Sequence, residues 1–424
     1  MGVLRREGEL KSYGYNDDDV PTESSENQLE TEEEIRRAFF PYTQESPIPK
    51  PIASLELRKA RHAKYVLGAI DYLASYWTAL DASKPWLCYW ILHSLDLLGH
   101  EIPKDLATRA ISTMRHMQCE TGGFAGGPGQ EAHLAPTYAA VNVLAIIGTK
   151  EAFDVINRET LLEFLLRVKQ KDGSFTMSVG GEVDVRGSYC ASSVATITNI
   201  LTPELTKGVA EFVGRCQSYE GGIGGLPGVE AHGGYAFCGL AALELLGRTD
   251  VLDANTFVKW AAGRQMSLEG GFHGRTNKLV DGCYAFWVGG IFPLVGKMLE
   301  SMNQDSDVLD FVYDREALQE YVLVGCQSKS GGLRDKPSNG LSLSQRQMSF
   351  RHDLKHIAPL GLSSLLWTES VDRRRVVGLP GNLLEPTHPV LNIRMDKVRK
   401  ALVHFYGQAA LDVIEEMDIE IIRG

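Results

Sequence analysis

A turn of one form recurs five times along the chain, and that repeat constrains the fold more than any other feature. It reads Gln118-Cys-Glu-Thr-Gly-Gly-Phe124, Gln170-Lys-Asp-Gly-Ser-Phe175, Gln217-Ser-Tyr-Glu-Gly-Gly-Ile223, Gln265-Met-Ser-Leu-Glu-Gly-Gly-Phe272 and Gln327-Ser-Lys-Ser-Gly-Gly-Leu333. Successive glutamines lie 52, 47, 48 and 62 residues apart. A period near 50 residues marks stacked supersecondary units rather than independent globular domains. The glycines permit positive φ and close backbone approach, the Gln can bond backbone groups of the turn, and the final apolar residue enters the core.

Between the turns, apolar residues fall at three- and four-residue spacing. This predicts helices over 64–80, 86–98, 104–117, 137–147, 159–169, 190–201, 205–216, 234–247, 255–265, 283–300 and 315–326. Strand signals are nearly absent. Five turns with flanking helices suffice to close a ring of helical hairpins, and neither end shows a polar capping repeat. An all-α chain closed into an α/α barrel is therefore expected over an open solenoid.

Composition narrows the function classes. The chain has 424 residues, is 44% hydrophobic and 23% charged, and carries a net charge of −11. That balance suits a soluble protein and argues against a general nucleic-acid binder. An anionic ligand would need a local basic pocket inside an acidic shell. The seven cysteines (Cys88, Cys119, Cys190, Cys216, Cys238, Cys283 and Cys326) are odd in number and scattered, which fits reduced thiols in the cytoplasm. No signal peptide and no long apolar run are seen, so no membrane span is expected. Residues 1–50 are acidic and polar and read as a largely disordered tail. Residues 51–424 read as the barrel with a C-terminal extension.

The fourth turn carries the densest chemistry. Arg275 and Lys278 stand on a Gly-rich turn near a helix start, which suits a polyphosphate. Asp281 and Cys283 follow with one glycine between them, a hard and a soft donor that together suit zinc. Residue by residue, a solvated turn and a buried core thiol are equally consistent with this stretch. Related glycine-rich runs contain His133 and His232 and lead into helices. In a barrel these turns converge on one rim, bringing His133, His232, Arg275 and Lys278 around one mouth. Trp86, Trp90, Tyr189, Tyr284 and Trp287 could line the interior below it, suiting a ligand with an anionic head and an apolar tail. Core packing explains any one of these aromatics equally well.

From about Leu55 to Phe405 the sequence resembles the protein farnesyltransferase beta-subunit family. The resemblance rests on Pro85-Trp-Leu-Cys-Tyr-Trp-Ile-Leu-His-Ser-Leu95, Gly126-Gly-Pro-Gly-Gln130, His133-Leu-Ala-Pro-Thr-Tyr-Ala-Ala140, Gly180-Gly-Glu-Val-Asp-Val-Arg186, Glu230-Ala-His-Gly-Gly-Tyr235, Lys278-Leu-Val-Asp-Gly-Cys-Tyr284 and Glu385-Pro-Thr-His-Pro389. It implies an α6–α6 barrel paired with a helical-repeat alpha subunit. Such a heterodimer transfers farnesyl from farnesyl diphosphate to the cysteine of a C-terminal Cys-a-a-X sequence. His232, Arg275, Lys278 and Tyr284 match the family's diphosphate-binding groups. Arg186, Tyr189, Gly234, Cys238 and Trp287 match positions along the isoprenoid channel. Trp86 and Trp90 match aromatics of the isoprenoid and peptide pocket, with bulky Trp86 favouring the fifteen-carbon chain. Asp281 and Cys283 match two zinc ligands, and a magnesium ion is left open.

The family's third zinc ligand is a His in a run like Asp-Phe-Tyr-His-Thr. Here the segment reads Asn339 to Ser363, with Phe350-Arg351-His352 resembling Phe-Tyr-His and His356 four residues further on. Counting back from Gly361 places the expected ligand at Leu354, between the two. His352 is the candidate and His356 the alternative. Other classes fit less well. A geranylgeranyltransferase type I beta subunit would carry a small residue near Trp86. Triterpene cyclases need an Asp-rich protonating motif and a membrane-inserting patch that this chain lacks. A barrel scaffold of the same heterodimer that has lost zinc stays open.

Overall fold

The computed structural model describes residues 20–71, 80–302, 312–337 and 376–407. Among these residues, regular structure is helical, and strand pairing is confined to isolated bridges. In chain order the helices are α1 (Glu23–Phe39), α2 (Lys59–Asp71), α3 (Lys84–Leu97), α4 (Lys104–Met117), α5 (Leu134–Ile147), α6 (Lys150–Phe153), α7 (Arg158–Val168), α8 (Val185–Ile197), α9 (Pro203–Thr206) and α10 (Val209–Arg215). They continue with α11 (Gly233–Leu246), α12 (Ala254–Ala262), α13 (Tyr284–Trp287) and α14 (Ile291–Ser301). The helix Arg315–Glu320 runs into a π-helical turn, Tyr321–Cys326, and the last described helix is Met395–Tyr406.

The helices sort into two layers by how they bury themselves. α5 is buried almost all round, from Leu134 to Ile146, and α8 and α11 behave likewise. A helix apolar on every face belongs inside. By contrast α4, α7 and α12 bury one stripe each, such as Leu106, Ala110, Ile111, Met114 and Met117 of α4. Inner neighbours pack in sequence order, α3 on α5, α5 on α8, α8 on α11 and α11 on α13 and α14. The expected α/α toroid is the observed architecture.

Each recurring turn is closed by one bridge, Gln118 to Phe124, Lys169 to Phe175, Gln217 to Ile223, Gln265 to Phe272 and Gln327 to Leu333. The second turn corrects the sequence register. Lys169, not Gln170, occupies the glutamine position, which removes the apparent deletion. Its ammonium donates to Gly173 O and Lys207 O at 2.9 and 2.8 Å, while Gln170 turns back to Val168 O. In the third and fourth turns Gln217 and Gln265 do the same job, bonding their own turn and the backbone of Asp253 or Asp314 ahead of the next outer helix. The glycine of each turn is required by proximity as well as φ. A Cβ on Gly221 (φ 100°) would collide with the backbone oxygen of Thr256.

The fifth turn closes the ring. Gln327 Nε2 donates to Glu56 O, its Oε1 accepts from Arg58 N, and His62 Nε2 lies 2.9 Å from the same oxygen. These bonds set the fifth turn beside the start of α2.

The segment 1–50 is not uniformly the loose tail its composition predicts. Residues 23–39 form α1, capped by reciprocal Thr22 and Ser25 bonds and burying Ser25, Gln28, Thr31, Glu32, Ile35 and Phe39 at helical spacing. Gln28 donates to buried Glu269 at 2.8 Å, and α1 packs on Tyr321–Cys326. Few apolar residues suffice because the docking face is largely hydrogen-bonded.

Candidate functional site

The described inner helices start at one end of the ring. Their first residues, and Gly282 just before α13, are joined to the turn of the following repeat by a periodic series of single backbone bonds. Lys84 N donates to Gly126 O, Leu134 N to Met177 O, Val185 N to Gly225 O, Gly233 N to Gly274 O and Gly282 N to Asp335 O, at 2.7–3.0 Å. The rim therefore gathers the amino ends of α3, α5, α8 and α11, whose dipoles favour negative charge. His133, Asp184 and His232 cap three of them, accepting from Ala135 N, Arg186 N and Gly234 N.

The opposite end is closed by residues 385–394. Glu385 N bonds Leu97 O at the far end of α3, so the segment enters from that side. His388 organises it, with Nδ1 accepting from both Val390 N and Leu391 N. Two tyrosines of the inner wall reach down to it, Tyr189 donating to Val390 O at 2.6 Å and Tyr89 to Asn392 O at 2.8 Å. The barrel is thus a cup, with mouth, wall and floor each traceable to a repeat or a terminal segment.

An unbroken aromatic band crosses the wall. Ring centroids step from Trp90 to Trp86 (5.7 Å), Tyr138 (5.7 Å), Tyr189 (5.3 Å), Phe237 (5.7 Å) and Trp287 (5.8 Å). Trp86 also stands edge-on to Tyr89 at 5.8 Å, so the indole rests on the floor through that phenol. The three tryptophans are half-buried rather than closed over, and Trp90 Nε1 has no hydrogen-bond partner among the described residues. Tyr89, Tyr138 and Phe237 were not singled out from sequence. Their spacing on inner helices looks like ordinary core, and only the ring geometry aligns them with Trp86 and Tyr189.

At the mouth His232 and Tyr284 meet. Tyr284 Oη lies 2.9 Å from His232 Nε2. Because Nδ1 already accepts from Gly234 N at 3.0 Å, the neutral ring carries its proton on Nε2 and donates it to Tyr284. The phenolic proton is thereby left to donate elsewhere. Burial, then the Arg275 guanidinium, holds the His232 imidazolium pKa below its usual range. Burial, then the neighbouring Cys283 and Asp281, pushes the Tyr284 phenol up. Both groups are neutral donors at pH 7.

Two glycines seat this pair. A Cβ on Gly274 would overlap the ring and hydroxyl of Tyr284, and one on Gly233 would press into Val288 and the same ring. Gly234 lies against the His232 ring and near Trp287.

The rim cations are held differently. Arg186 is gripped by buried Asp184, its Nε 2.9 and 3.1 Å from the two carboxylate oxygens. Arg275 Nη1 contacts Glu230 Oε2 at 3.0 Å. Lys278 is exposed and makes no side-chain bond to a described residue. Cys238 is buried beside Cys190 and Arg186, its thiol pushed up by burial. Beneath Arg275 the loop is framed by Arg264 Nη1 to Thr276 Oγ1 (3.0 Å) and by Trp260 Nε1 to Glu220 Oε2 (3.3 Å).

Asp281 and Cys283 share one tight turn directly before α13, with Cys283 N donating to Asp281 Oδ1 at 2.8 Å. Both are half-buried at the mouth. A carboxylate and a thiol two residues apart form a donor set that fits zinc. Among the described residues no group of three or more His, Cys, Asp or Glu side chains could hold a metal ion. His352 and His356 lie outside the described residues.

Comparison with known proteins gives a consistent picture. The family model described as the prenyltransferase alpha-alpha toroid domain matches residues 57–393. The protein farnesyltransferase subunit beta of Arabidopsis thaliana is 36% identical, covering 88% of this chain and 87% of its own length. That of Pisum sativum is 40% identical over 75% of this chain and 88% of its own. Among solved structures, Candida albicans protein geranylgeranyltransferase-I complexed with GGPP superposes with a TM-score of 0.65. It is 20% identical, covering 82% of this chain and 99% of that one, a likeness of fold.

Proposed function

Because this chain belongs to the protein prenyltransferase beta-subunit family, built on the α/α toroid, we propose that it transfers farnesyl from farnesyl diphosphate to the cysteine of C-terminal Cys-a-a-X proteins. It does so as one half of a cytoplasmic heterodimer with a prenyltransferase alpha subunit. The observation that carries this reading is the Tyr284–His232 contact. It leaves a phenolic proton free to donate at the mouth, beside Arg275 and the Asp281–Cys283 turn.

The cup divides the substrate by polarity. The isoprenoid lies along the aromatic band, with Trp86, Tyr189, Cys238 and Trp287 on its path and Trp90 toward the peptide side. The diphosphate stays at the rim, where the helix amino ends supply a standing positive potential, while Arg186, paired with Asp184, belongs with the channel. As the allylic C–O bond breaks, charge accumulates on the departing oxygens. Tyr284 and His232 donate neutral hydrogen bonds there, while Arg275 and Lys278 neutralise it, the electrostatic work of an oxyanion hole. Zinc held by Asp281 and Cys283, with His352 or His356 as the further ligand, would keep the substrate thiol as thiolate while leaving it nucleophilic. Magnesium bound to the diphosphate would share the load of Lys278.

The test is metal analysis of the purified heterodimer together with farnesyl transfer to a Cys-a-a-X peptide. One zinc per heterodimer with transfer supports the reading. Diphosphate binding without zinc or transfer replaces it with a non-catalytic scaffold.

A further inference from the structure

Glu230 has no role in the reading above, yet it is the partner of one of its central cations. The two rim arginines are neutralised in unlike ways. Arg186 answers to the carboxylate of Asp184, which is 8% exposed, caps α8 by accepting from the Arg186 backbone N–H and bonds the guanidinium through more than one contact. Exchange there would strand a buried charge and uncap a helix. Arg275 answers to Glu230 through a single contact, with side chains 40% and 46% exposed. Exposed pairs of this kind are weak and readily exchanged. The loop beneath Arg275 is framed independently through Thr276 and Glu220, so the guanidinium can change partner without the backbone moving.

We propose that Glu230 is a positioning residue, a counter-ion placeholder that holds Arg275 over the mouth between turnovers and competes with the diphosphate for it. This rests on the diphosphate reading of the mouth. A carboxylate offers one charge, whereas a diphosphate offers several charges and more acceptor oxygens, so the incoming substrate displaces Glu230. As the product diphosphate leaves, Glu230 recaptures the guanidinium. Glu230 therefore lowers affinity for the diphosphate end of substrate and product alike, and it speeds release. It stands two residues before His232, on the loop entering α11, so the placeholder and the neutral donor pair are carried by one short segment.

The test is a double-mutant cycle on the assembled heterodimer, with inorganic pyrophosphate as the probe and calorimetric Kd as the readout. Glu230→Gln should bind pyrophosphate roughly 3- to 10-fold tighter than wild type. In an Arg275→Gln background the same substitution should leave Kd within about 2-fold. A purely structural role for Glu230 would weaken binding in both backgrounds. Unchanged or weaker binding by Glu230→Gln, in an enzyme whose wild type binds pyrophosphate, overturns the placeholder alone. An equal gain in both backgrounds also overturns it, since the effect would then be one of net charge. A wild type that binds neither pyrophosphate nor farnesyl diphosphate overturns the diphosphate reading and the placeholder with it.

Discussion

Gly274 leaves the space that Tyr284 occupies: a methyl group there would overlap the phenol that now sits 2.9 Å from His232 Nε2. Gly274→Ala should therefore act on chemistry without altering any charged side chain. The expected cost in stability is about 1–3 kcal/mol from overpacking. Single-turnover prenyl transfer should fall to the level of Tyr284→Phe, roughly 100-fold below wild type. Wild-type transfer by Gly274→Ala would show that Tyr284 is not aimed by this seat.

Cys283→Ala separates metal from lipid. Zinc content and turnover should both be lost, while the Kd for farnesyl diphosphate changes less than about 3-fold, because the substitution removes a metal donor and none of the rings of the aromatic band. Loss of lipid binding with zinc retained would remove Cys283 from the ligand set.

Trp86 bears on prenyl length. It stands on Tyr89, which is fixed to the floor through Asn392 O. Trp86→Thr should shift the kcat/KM ratio toward a twenty-carbon donor by about 10-fold or more, since a large volume is opened inside the cup. An unchanged ratio would place the length gauge elsewhere.

The floor gives a pH signature. Burial, with Lys297 nearby, pulls the fully enclosed His388 imidazole down to about 3. The unfolded chain then binds a proton below pH ~6.5 that the folded chain refuses, so this histidine's contribution falls as pH drops from ~6.5 toward 3. Asp96 and Glu244, raised by burial to about 6 and about 7, act in the opposite sense and blur a whole-protein curve. The difference between wild type and His388→Gln isolates the group. It should move in the variant's favour by about 1.4 kcal/mol per pH unit below 6.5, read by denaturant titration. A difference independent of pH would mean His388 is already charged in the native state.

Lys169 tests the repeat itself. Lys169→Gln should keep stability within about 1 kcal/mol of wild type, whereas Lys169→Ala strands two carbonyls and should cost about 1–3 kcal/mol. Equal losses in both variants would show that the position is not a glutamine site.

The toroid was legible because its punctuation is local. Gln, Gly-Gly and an apolar plug mark each turn, and helices rich in apolar residues on every face announce the inner layer. Arg275, Lys278, Asp281 and Cys283 stood out as candidates for the same reason, crowded into nine residues. Other features depend on through-space partners 45 to more than 200 residues away, and the sequence was silent on them. Tyr138 and Phe237 read as core until the ring aligns them. Glu230 reads as a solvated acid until Arg275 meets it. Composition misread α1 because acidic residues hid a capped stripe whose docking is made by Gln28 and Glu269. Lys169 was misaligned because the chemistry of the turn, donation to two carbonyls, is satisfied by an amine as well as an amide.

The bonds from Gln327 to residues 56–62 have a consequence for how the protein is made. They join parts of the chain more than 260 residues apart. On the ribosome the start of α2 emerges long before the turn that bonds it, and no earlier repeat can stand in for that turn. The chain must carry an unfinished seam through most of its synthesis, with apolar edges at both ends of a growing arc. Contacts of such sequence separation form late and slowly. Closure is thus the step at which a nascent chain becomes a barrel, and the step most exposed to a holding chaperone or a premature stop.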